Sequence, residues 1–208
     1  MTIICGLLLQ SCKKDKFVVV ISTGKTTSIA IENVNVRIQF ARNNLMENNL
    51  IVNNRSKDII SIEPADVVLK IDNEKYVLTA IKDFKQYVTM RYAAAKDQCR
   101  QSEYPYPCVD AIESFFTPFL HAKAFTFGPI KPGEKRSGLI AFNLPDPFNL
   151  SDEAEELADT LRTKFKLLDG KIVVHASKRS QNLEFLFPVN VTTFADEKYF
   201  PLEVMRNY

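Results

Sequence analysis

The sequence predicts an antiparallel β-sandwich, and three observations support this. Apolar and polar residues alternate along several short stretches, most clearly from Ile29 to Phe40 and from Leu183 to Val191. Turn pairs such as Asp72-Asn73 and Pro132-Gly133 separate the stretches. The chain has 208 residues, of which 46% are hydrophobic, and this is enough for one domain with a proper core. Many short alternating strands joined by turns are typical of two packed antiparallel sheets.

The stretch from Gly128 to Pro145, GPIKPGEKRSGLIAFNLP, gives the clearest strand–turn–strand pattern. Proline pre-sets φ and glycine accepts positive φ, so Pro132-Gly133 predicts a tight turn. We interpret the two flanking runs as the central hairpin of the sandwich, with 131–136 as a solvated turn.

Further strands are predicted along the whole chain, at 17–21, 28–42, 50–52, 59–62, 67–71, 76–78, 172–174 and 183–191. A break between Ile31 and Val34 predicts either a bulge or a turn within the second of these stretches. Pro188 cannot donate a ladder hydrogen bond, so it predicts an edge or a bulge in the last strand.

The region at about 81–123 has helical spacing instead, and we interpret it as an insertion in the sandwich. Its apolar residues recur every three or four positions and predict a helix from Phe84 to about Gln98. Consecutive X-Pro pairs at 104–107 predict a loop, Asp110 caps a second helix over 111–116, and Pro118 interrupts that helix. One further short helix is predicted from Ser151, with acidic residues in its first turns.

The first twelve residues, MTIICGLLLQSC, are uncharged and precede the basic run Lys13-Lys14-Asp15-Lys16. An apolar run that ends at a small residue is typical of a secretory signal. The Leu9-Gln10-Ser11-Cys12 segment resembles the lipobox of bacterial lipoproteins. This resemblance implies a signal peptide at 1–11, a lipidated N-terminus with a short tether at 12–16, and a domain at 17–208. It also implies a lipid anchor at Cys12 in the outer membrane, on its periplasmic or surface-facing side. The alternative is a buried N-terminal strand behind an ordinary cysteine.

Cysteine usage agrees with this prediction. If Cys5 leaves with the signal and Cys12 carries lipid, Cys99 and Cys108 remain as a pair in an oxidising compartment. We expect them to form a disulfide that staples the helical insertion. The alternative, a metal site, lacks both CxxC spacing and a neighbouring histidine.

Two segments carry a second resemblance, Asn53-Asn54-Arg55-Ser56-Lys57-Asp58 and the element Pro132-Gly133-Glu134 with 138–142. They resemble immunoglobulin-like domains of small secreted bacterial proteins, in which an "NNSDKP"-like turn lies opposite a "PGE…G…F" element. The resemblance covers roughly half the chain. It implies an immunoglobulin-like sandwich that works as a binding or structural module.

The candidate contact residues are aromatic side chains of the insertion, namely Tyr104, Tyr106, Phe115, Phe116 and Phe119. Aromatic rings in loops offer rigid contact area to a protein or a sugar. The alternative is that they pack the insertion onto the sandwich.

No set of residues predicts catalysis or a cofactor. Gly24-Lys25-Thr26 resembles the end of a phosphate-binding loop, but Val19 stands where that loop requires glycine. His121 and His175 are the only histidines, and nothing in the sequence pairs them. Two acidic pairs, Asp66 with Asp72 and Glu153 with Glu156, resemble paired carboxylates of glycoside hydrolases and are equally explained by turns and helix starts.

These observations predict a non-catalytic envelope lipoprotein that binds or assembles a protein partner. The alternative is a carbohydrate-binding or carbohydrate-processing accessory lipoprotein, and a divergent hydrolase is a third hypothesis. A formal net charge of +2 argues against nucleic acid as the partner. We expect no metal and no cofactor.

Overall fold

The structure, a computed structural model, describes residues 17–22, 27–40, 48–100, 105–142 and 168–195. In this part of the chain eleven strands form two sheets, and every strand pairing is antiparallel. The seven-stranded sheet contains β1 (Phe17–Ser22), β5 (Ile60–Ile62), β6 (Val67–Ile71), β7 (Tyr76–Thr79), β8 (Gly128–Ile130), β10 (Leu168–Lys178) and β11 (Gln181–Ala195). The four-stranded sheet contains β2 (Thr27–Ile31), β3 (Val34–Phe40), β4 (Asn48–Asn54) and β9 (Lys135–Ile140). The fold is therefore mainly β.

Side-chain alternation explains why the two sheets pack together. Every second residue of a strand points to the same face, and in β3, β6 and β11 the inward set is apolar. Residues from both sheets meet in one core, which includes Val36 and Leu50 on one side and Leu69 and Phe185 on the other. The predicted sandwich-like arrangement of two packed antiparallel sheets is confirmed.

The predicted turns are present at two of the strand breaks. Glu32 and Asn33 have φ of 47° and 64° and form the turn of a β2–β3 hairpin, so the break there is a turn and not a bulge. The turn at 72–75 joins β6 to β7. Pro188 lies opposite Lys171 of β10, at a point that the pairing of β1 with β11 does not reach. At this position β11 is the outermost described strand, as the proline predicted.

The prediction of a hairpin at 128–140 is wrong. The turn at Pro132-Gly133 exists, and Gly133 has a φ of 76°. The flanking strands do not pair with each other, because β8 pairs with β5 whereas β9 pairs with β4. The turn thus carries the chain from one sheet to the other. Alternation locates a strand, but its partner depends on which distant backbone groups are available.

The insertion is a pair of helices, α1 (Phe84–Arg100) and α2 (Pro105–His121). The loop predicted at 104–107 is wrong for its described residues, because α2 begins at Pro105. The first four N–H groups of a helix have no intrahelical acceptor, so Pro105 and Pro107 cost no hydrogen bond there. Pro118 does not interrupt α2, which continues to His121; Thr117 Oγ1 donates to the Glu113 carbonyl at 2.6 Å in this last part of the helix. The helix predicted from Ser151 lies outside the described residues.

Candidate functional site

A covalent bond joins the end of α1 to the start of α2, and we call these two helix ends the tip of the helical hairpin. Cys99, near the end of α1, and Cys108, near the start of α2, form a disulfide with their Cα atoms 5.4 Å apart. Both cysteines are buried. The predicted Cys99–Cys108 disulfide is confirmed, and it fixes the two helix ends at the tip.

The predicted aromatic residues do not form one exposed patch. Phe116 and Phe119 are 4% and 1% exposed and belong to a small core between the helices and Ala141 of the sandwich. Tyr106 is 85% exposed on the first turn of α2. Tyr104 and the side chain of Phe115 lie outside the described part of the chain. The packing alternative therefore describes Phe116 and Phe119, whereas Tyr106 remains available for contact.

A polar cluster near the tip joins α1 to α2. Lys96 Nζ donates to Glu113 Oε1 at 2.5 Å and to Tyr92 Oη at 3.2 Å, and Tyr92 Oη donates to Glu113 Oε1 at 3.2 Å. The hydrogen bond from Lys96 lowers the pKa of Glu113, and the hydrogen bond to Glu113 raises the pKa of Lys96. The Tyr92 ring also lies 5.7 Å from the Phe116 ring. These contacts set the register of the two helices beside the disulfide.

A second feature is the end of the sandwich where four loops meet. We call residues 32–33, 55–59, 131–136 and 178–182 the four-loop end. Its centre is Asn54, the last residue of β4, which is fully buried. Asn54 Nδ2 donates to the carbonyls of Asp58 (2.8 Å) and Ile130 (3.0 Å). Asn54 Oδ1 accepts from Ser56 N (3.1 Å) and Ser56 Oγ (2.7 Å).

Backbone hydrogen bonds extend this centre to the neighbouring loops. Asn54 N donates to the Glu134 carbonyl at 3.0 Å, and Gly133 N donates to the Asn54 carbonyl at 2.7 Å. Arg55 N donates to the Asn33 carbonyl at 2.8 Å. The segment at 53–58 and the Pro132-Gly133-Glu134 element therefore lie against each other. Sequence reasoning missed the role of Asn54, although Asn54 continues the period of two set by Leu50 and Val52, which was a usable signal.

Ion pairs connect the same loops. Lys178 Nζ lies 2.7 Å from Glu32 Oε2 and 3.9 Å from Asp58 Oδ2, and Arg179 Nη2 lies 2.7 Å from Asp58 Oδ1. Glu32 belongs to the four-stranded sheet's first turn, and Lys178 ends β10 of the seven-stranded sheet. These pairs therefore connect the two sheets at this end.

Arg136 holds the crossing turn. Its guanidinium donates to the carbonyls of Thr126 (2.9 Å) and Pro129 (2.7 Å) and to Glu134 Oε1 (2.6 Å). Glu134 Oε2 accepts from Lys131 N at 2.9 Å. The backbone N–H of Lys131 and then the Arg136 side chain lower the pKa of Glu134. The turn is exposed, as predicted, at Lys131, Pro132, Gly133 and Lys135. Hydrogen bonds of Glu134 and Arg136 also tie it to both sheets.

An open cavity of about 300 Å³ lies at the turn between β6 and β7, lined by Lys70, Asn73, Glu74, Asp169, Gly170 and Lys171. Three successive non-glycine residues of the turn, 72–74, have positive φ. Glu74 pairs with Lys171 at 2.5 Å and with Lys70 at 3.0 Å, and these hydrogen bonds lower its pKa. The lining charges balance, so the cavity favours neither anions nor cations.

The other sequence candidates do not converge. Asp66 precedes β6 and Asp72 follows it, so five strand residues separate the two carboxylates. His175 lies on β10, where Nδ1 is 3.7 Å from Glu184 Oε2, and His121 ends α2. Among the described residues, no group of three or more His, Cys, Asp or Glu side chains is placed to hold a metal ion. Cys12, Gly24-Lys25-Thr26, Glu153 and Glu156 lie outside the described residues.

Neither of the described helices has the length and apolar character needed to cross a bilayer. No protein-family model matches the chain, and no curated protein or solved structure matches it either.

Proposed function

We propose that this chain is a non-catalytic cell-envelope lipoprotein whose helical hairpin binds a protein partner. In this proposal 1–11 is a signal peptide, Cys12 carries the lipid, and 17–208 form an immunoglobulin-like sandwich. The lipid holds the domain close to the outer membrane, because only four residues separate Cys12 from β1. The anchor rests on the lipobox resemblance.

The observation that carries the proposal is the exposure of Tyr106. Its side chain is 85% exposed although tyrosine is large and partly apolar. Tyrosine is among the residues that most often dominate binding energy at protein interfaces, since it buries much area and loses little rotamer entropy. Tyr106 therefore supports the tip of the hairpin as the contact surface.

The rigidity of the tip strengthens this argument. Binding costs about 0.5–1.5 kcal/mol for each rotamer-rich side chain that it immobilises, and further free energy for loops that it must order. The Cys99–Cys108 disulfide and the Lys96–Glu113 ion pair already order the backbone that carries Tyr106. A partner therefore meets a preformed surface.

A photo-crosslinking amino acid at position 106, in the full chain expressed in its native envelope, tests the contact. Position 77 is the matched control, because Val77 is also an exposed apolar residue but lies on β7 of the sheet. We expect a crosslinked protein with the probe at 106 and none at 77.

The purified partner then permits a measurement of affinity. Tyr106→Ala is expected to weaken binding about tenfold or more, as at an interface hot spot, and Val77→Ala is expected to leave it unchanged. Phe119→Ala is not a test of contact, because Phe119 is a core residue and its loss destabilises the hairpin. Equal affinities for Tyr106→Ala and the unmutated protein would contradict the proposal.

Metabolic labelling with a radioactive fatty acid tests the anchor separately. We expect the label on the unmutated chain and its loss in Cys12→Ala, since the Cys12 thiol is the only acceptor that the lipobox places. A Cys12→Ala variant that keeps the label would show that the chain is not a lipoprotein of this kind.

A further inference from the structure

We infer that the four-loop end is a binding surface for an anionic polysaccharide. This inference goes beyond the proposed function, since it concerns a different part of the molecule and a different class of ligand. It rests on the charge of the four loops, on the way their carboxylates are used, and on their rigidity.

Positive charge is concentrated at the four-loop end. It carries seven cations and three carboxylates, namely Arg55, Lys57, Lys131, Lys135, Arg136, Lys178 and Arg179 against Glu32, Asp58 and Glu134. This excess of four positive charges exceeds the formal net charge of the whole chain, which is +2. The other described residues carry ten cations and ten carboxylates, so the four-loop end holds the whole positive excess of the described part of the chain. Such a concentration of positive charge attracts anions to this end.

The carboxylates of the four-loop end are all used internally. Glu32 pairs with Lys178 at 2.7 Å, Asp58 pairs with Arg179 at 2.7 Å, and Glu134 pairs with Arg136 at 2.6 Å. Four exposed cations remain: Arg55, Lys57, Lys131 and Lys135. Within the described part of the chain none of the four side chains has an ion-pair partner. All four residues are exposed to solvent.

The backbone that presents these cations is fixed. Asn54 and Ser56 hold the loop that carries Arg55 and Lys57. The hydrogen bonds of Glu134 and Arg136 hold the turn between Lys131 and Lys135. Charges on ordered loops lose less entropy on binding than charges on a flexible tail, so the arrangement suits a ligand.

The composition of the surface favours a polysaccharide over a protein. Lysine is depleted at the centres of protein interfaces, where aromatic and apolar residues supply the binding energy. Three of the four cations without an ion-pair partner are lysines. Ile59, at 55% exposure, is the one large apolar side chain that these four described loops expose. An extended polymer with repeated carboxylate or sulfate groups can contact such a surface through the lysine ends alone.

The register of the sheet argues against a membrane as the ligand, under the lipid anchor proposed above. β11 runs from Gln181 at the four-loop end to Ala195, which pairs with Phe17 at the start of β1. Fifteen strand residues at about 3.3 Å each separate the two ends. A lipid just before Phe17 therefore places the four-loop end away from the anchoring membrane.

The test is binding of the full-length protein to immobilised heparin, which carries both carboxylates and sulfates, with neutral dextran as a reference. The test variant combines Arg55→Gln, Lys57→Gln, Lys131→Gln and Lys135→Gln. The control variant combines Arg37→Gln, Lys82→Gln, Lys85→Gln and Lys123→Gln, which removes one arginine and three lysines that are also exposed. Both variants lose four positive charges, so net charge alone cannot distinguish them.

We expect heparin binding that weakens with salt, a loss of about tenfold or more in the test variant, and a change below about twofold in the control. Absent binding to heparin, or equal losses in the two variants, would overturn the inference. Tighter binding to polyglutamate, or to vesicles containing phosphatidylglycerol, than to heparin would overturn the assignment to a polysaccharide. Crosslinking at position 106 is measured separately, so the result with heparin does not affect the proposal for the helical hairpin.

Discussion

Asn54→Ala is expected to be the most destabilising single change at the four-loop end. The substitution removes four side-chain hydrogen bonds, two donated by Nδ2 and two accepted by Oδ1, at a site with no solvent exposure. Each buried hydrogen bond contributes a net of about 1 kcal/mol, and a buried group left without a partner costs about 1–3 kcal/mol. We therefore expect a loss of about 3–5 kcal/mol in the free energy of unfolding. This is a large part of the roughly 5–15 kcal/mol typical of a whole domain.

The assay is urea unfolding of the purified full-length chain, followed by circular dichroism. Asn53→Ala is the matched control, because it removes the same side chain from the neighbouring position on the opposite face of β4, where Asn53 is only half-buried. We expect the control to cost less than about 1 kcal/mol. Ser56→Ala provides a milder variant, expected to lose about 1–2 kcal/mol, in case Asn54→Ala does not fold.

A loss below about 1 kcal/mol for Asn54→Ala, or equal losses for Asn54→Ala and Asn53→Ala, would refute this reasoning. A small loss for Asn54→Ala would mean that water or a relaxed backbone satisfies the Ser56, Asp58 and Ile130 groups without the Asn54 amide. Equal losses would mean that the buried amide contributes no more than the half-buried one. Comparison of Asn54→Ala with Asn53→Ala also tests whether the ordered backbone of the four-loop end depends on the Asn54 amide.

Three further predictions concern the Cys99–Cys108 disulfide, Gly138 of β9, and Glu134 in the turn between β8 and β9. The double variant Cys99→Ser/Cys108→Ser is expected to lose about 2–3 kcal/mol, because the disulfide closes a short loop in the unfolded chain, and the melting temperature in non-reducing buffer measures this. Gly138→Ala is expected to lower the free energy of unfolding by about 1–3 kcal/mol. An added Cβ would lie 2.3 Å from the backbone nitrogen of Phe125, and a backbone atom cannot move aside freely. The backbone N–H of Lys131 and the Arg136 side chain lower the pKa of Glu134 in the folded state, so its stabilising contribution is present above the pKa of the unfolded chain and is lost as the pH falls through the folded pKa. We therefore expect the difference in free energy of unfolding between the unmutated chain and Glu134→Gln to be constant near neutral pH. This difference is expected to fall towards zero at acidic pH.

Each of these predictions has a distinct contrary outcome. An unchanged melting temperature on adding reductant to the unmutated chain would contradict the role of the disulfide. Full stability of Gly138→Ala would show that the chain at 124–125 has room to shift away from β9. A stability difference for Glu134→Gln that does not change between neutral and acidic pH would contradict the contribution of the Glu134 charge.

The sequence predicted most of the strands because their period is local. Alternation located β3, β6 and β11, and the turn residues at 72–73 located a hairpin. Proline was misleading at Pro105, Pro107 and Pro118, since its cost depends on position in the helix and the start of α2 could not be placed without its tertiary contacts.

The candidate site was predictable only in part. The cysteine count paired Cys99 with Cys108 only together with the lipobox resemblance, which sets Cys5 and Cys12 aside. The orientation of the aromatic residues was not predictable, since their exposure depends on which side of α2 meets α1. The four-loop end was missed for a related reason. Each loop carries only one to four charges, and their sum has meaning only when the four loops are brought together.

The sequence alone therefore predicted the β-rich class and the helical region, which follow from periodicity, and the disulfide, whose pairing also relied on the lipobox resemblance. Tertiary structure decided that 128–140 crosses between the sheets, that Asn54 is buried, and that Tyr106 is exposed while Phe119 is not. Tertiary structure also decided that three basic loops and the turn of Glu32 and Asn33 meet at one end. Local propensity selects the elements, but partners, burial and summed charge depend on residues far apart in the chain, and only the packed fold brings those residues into contact.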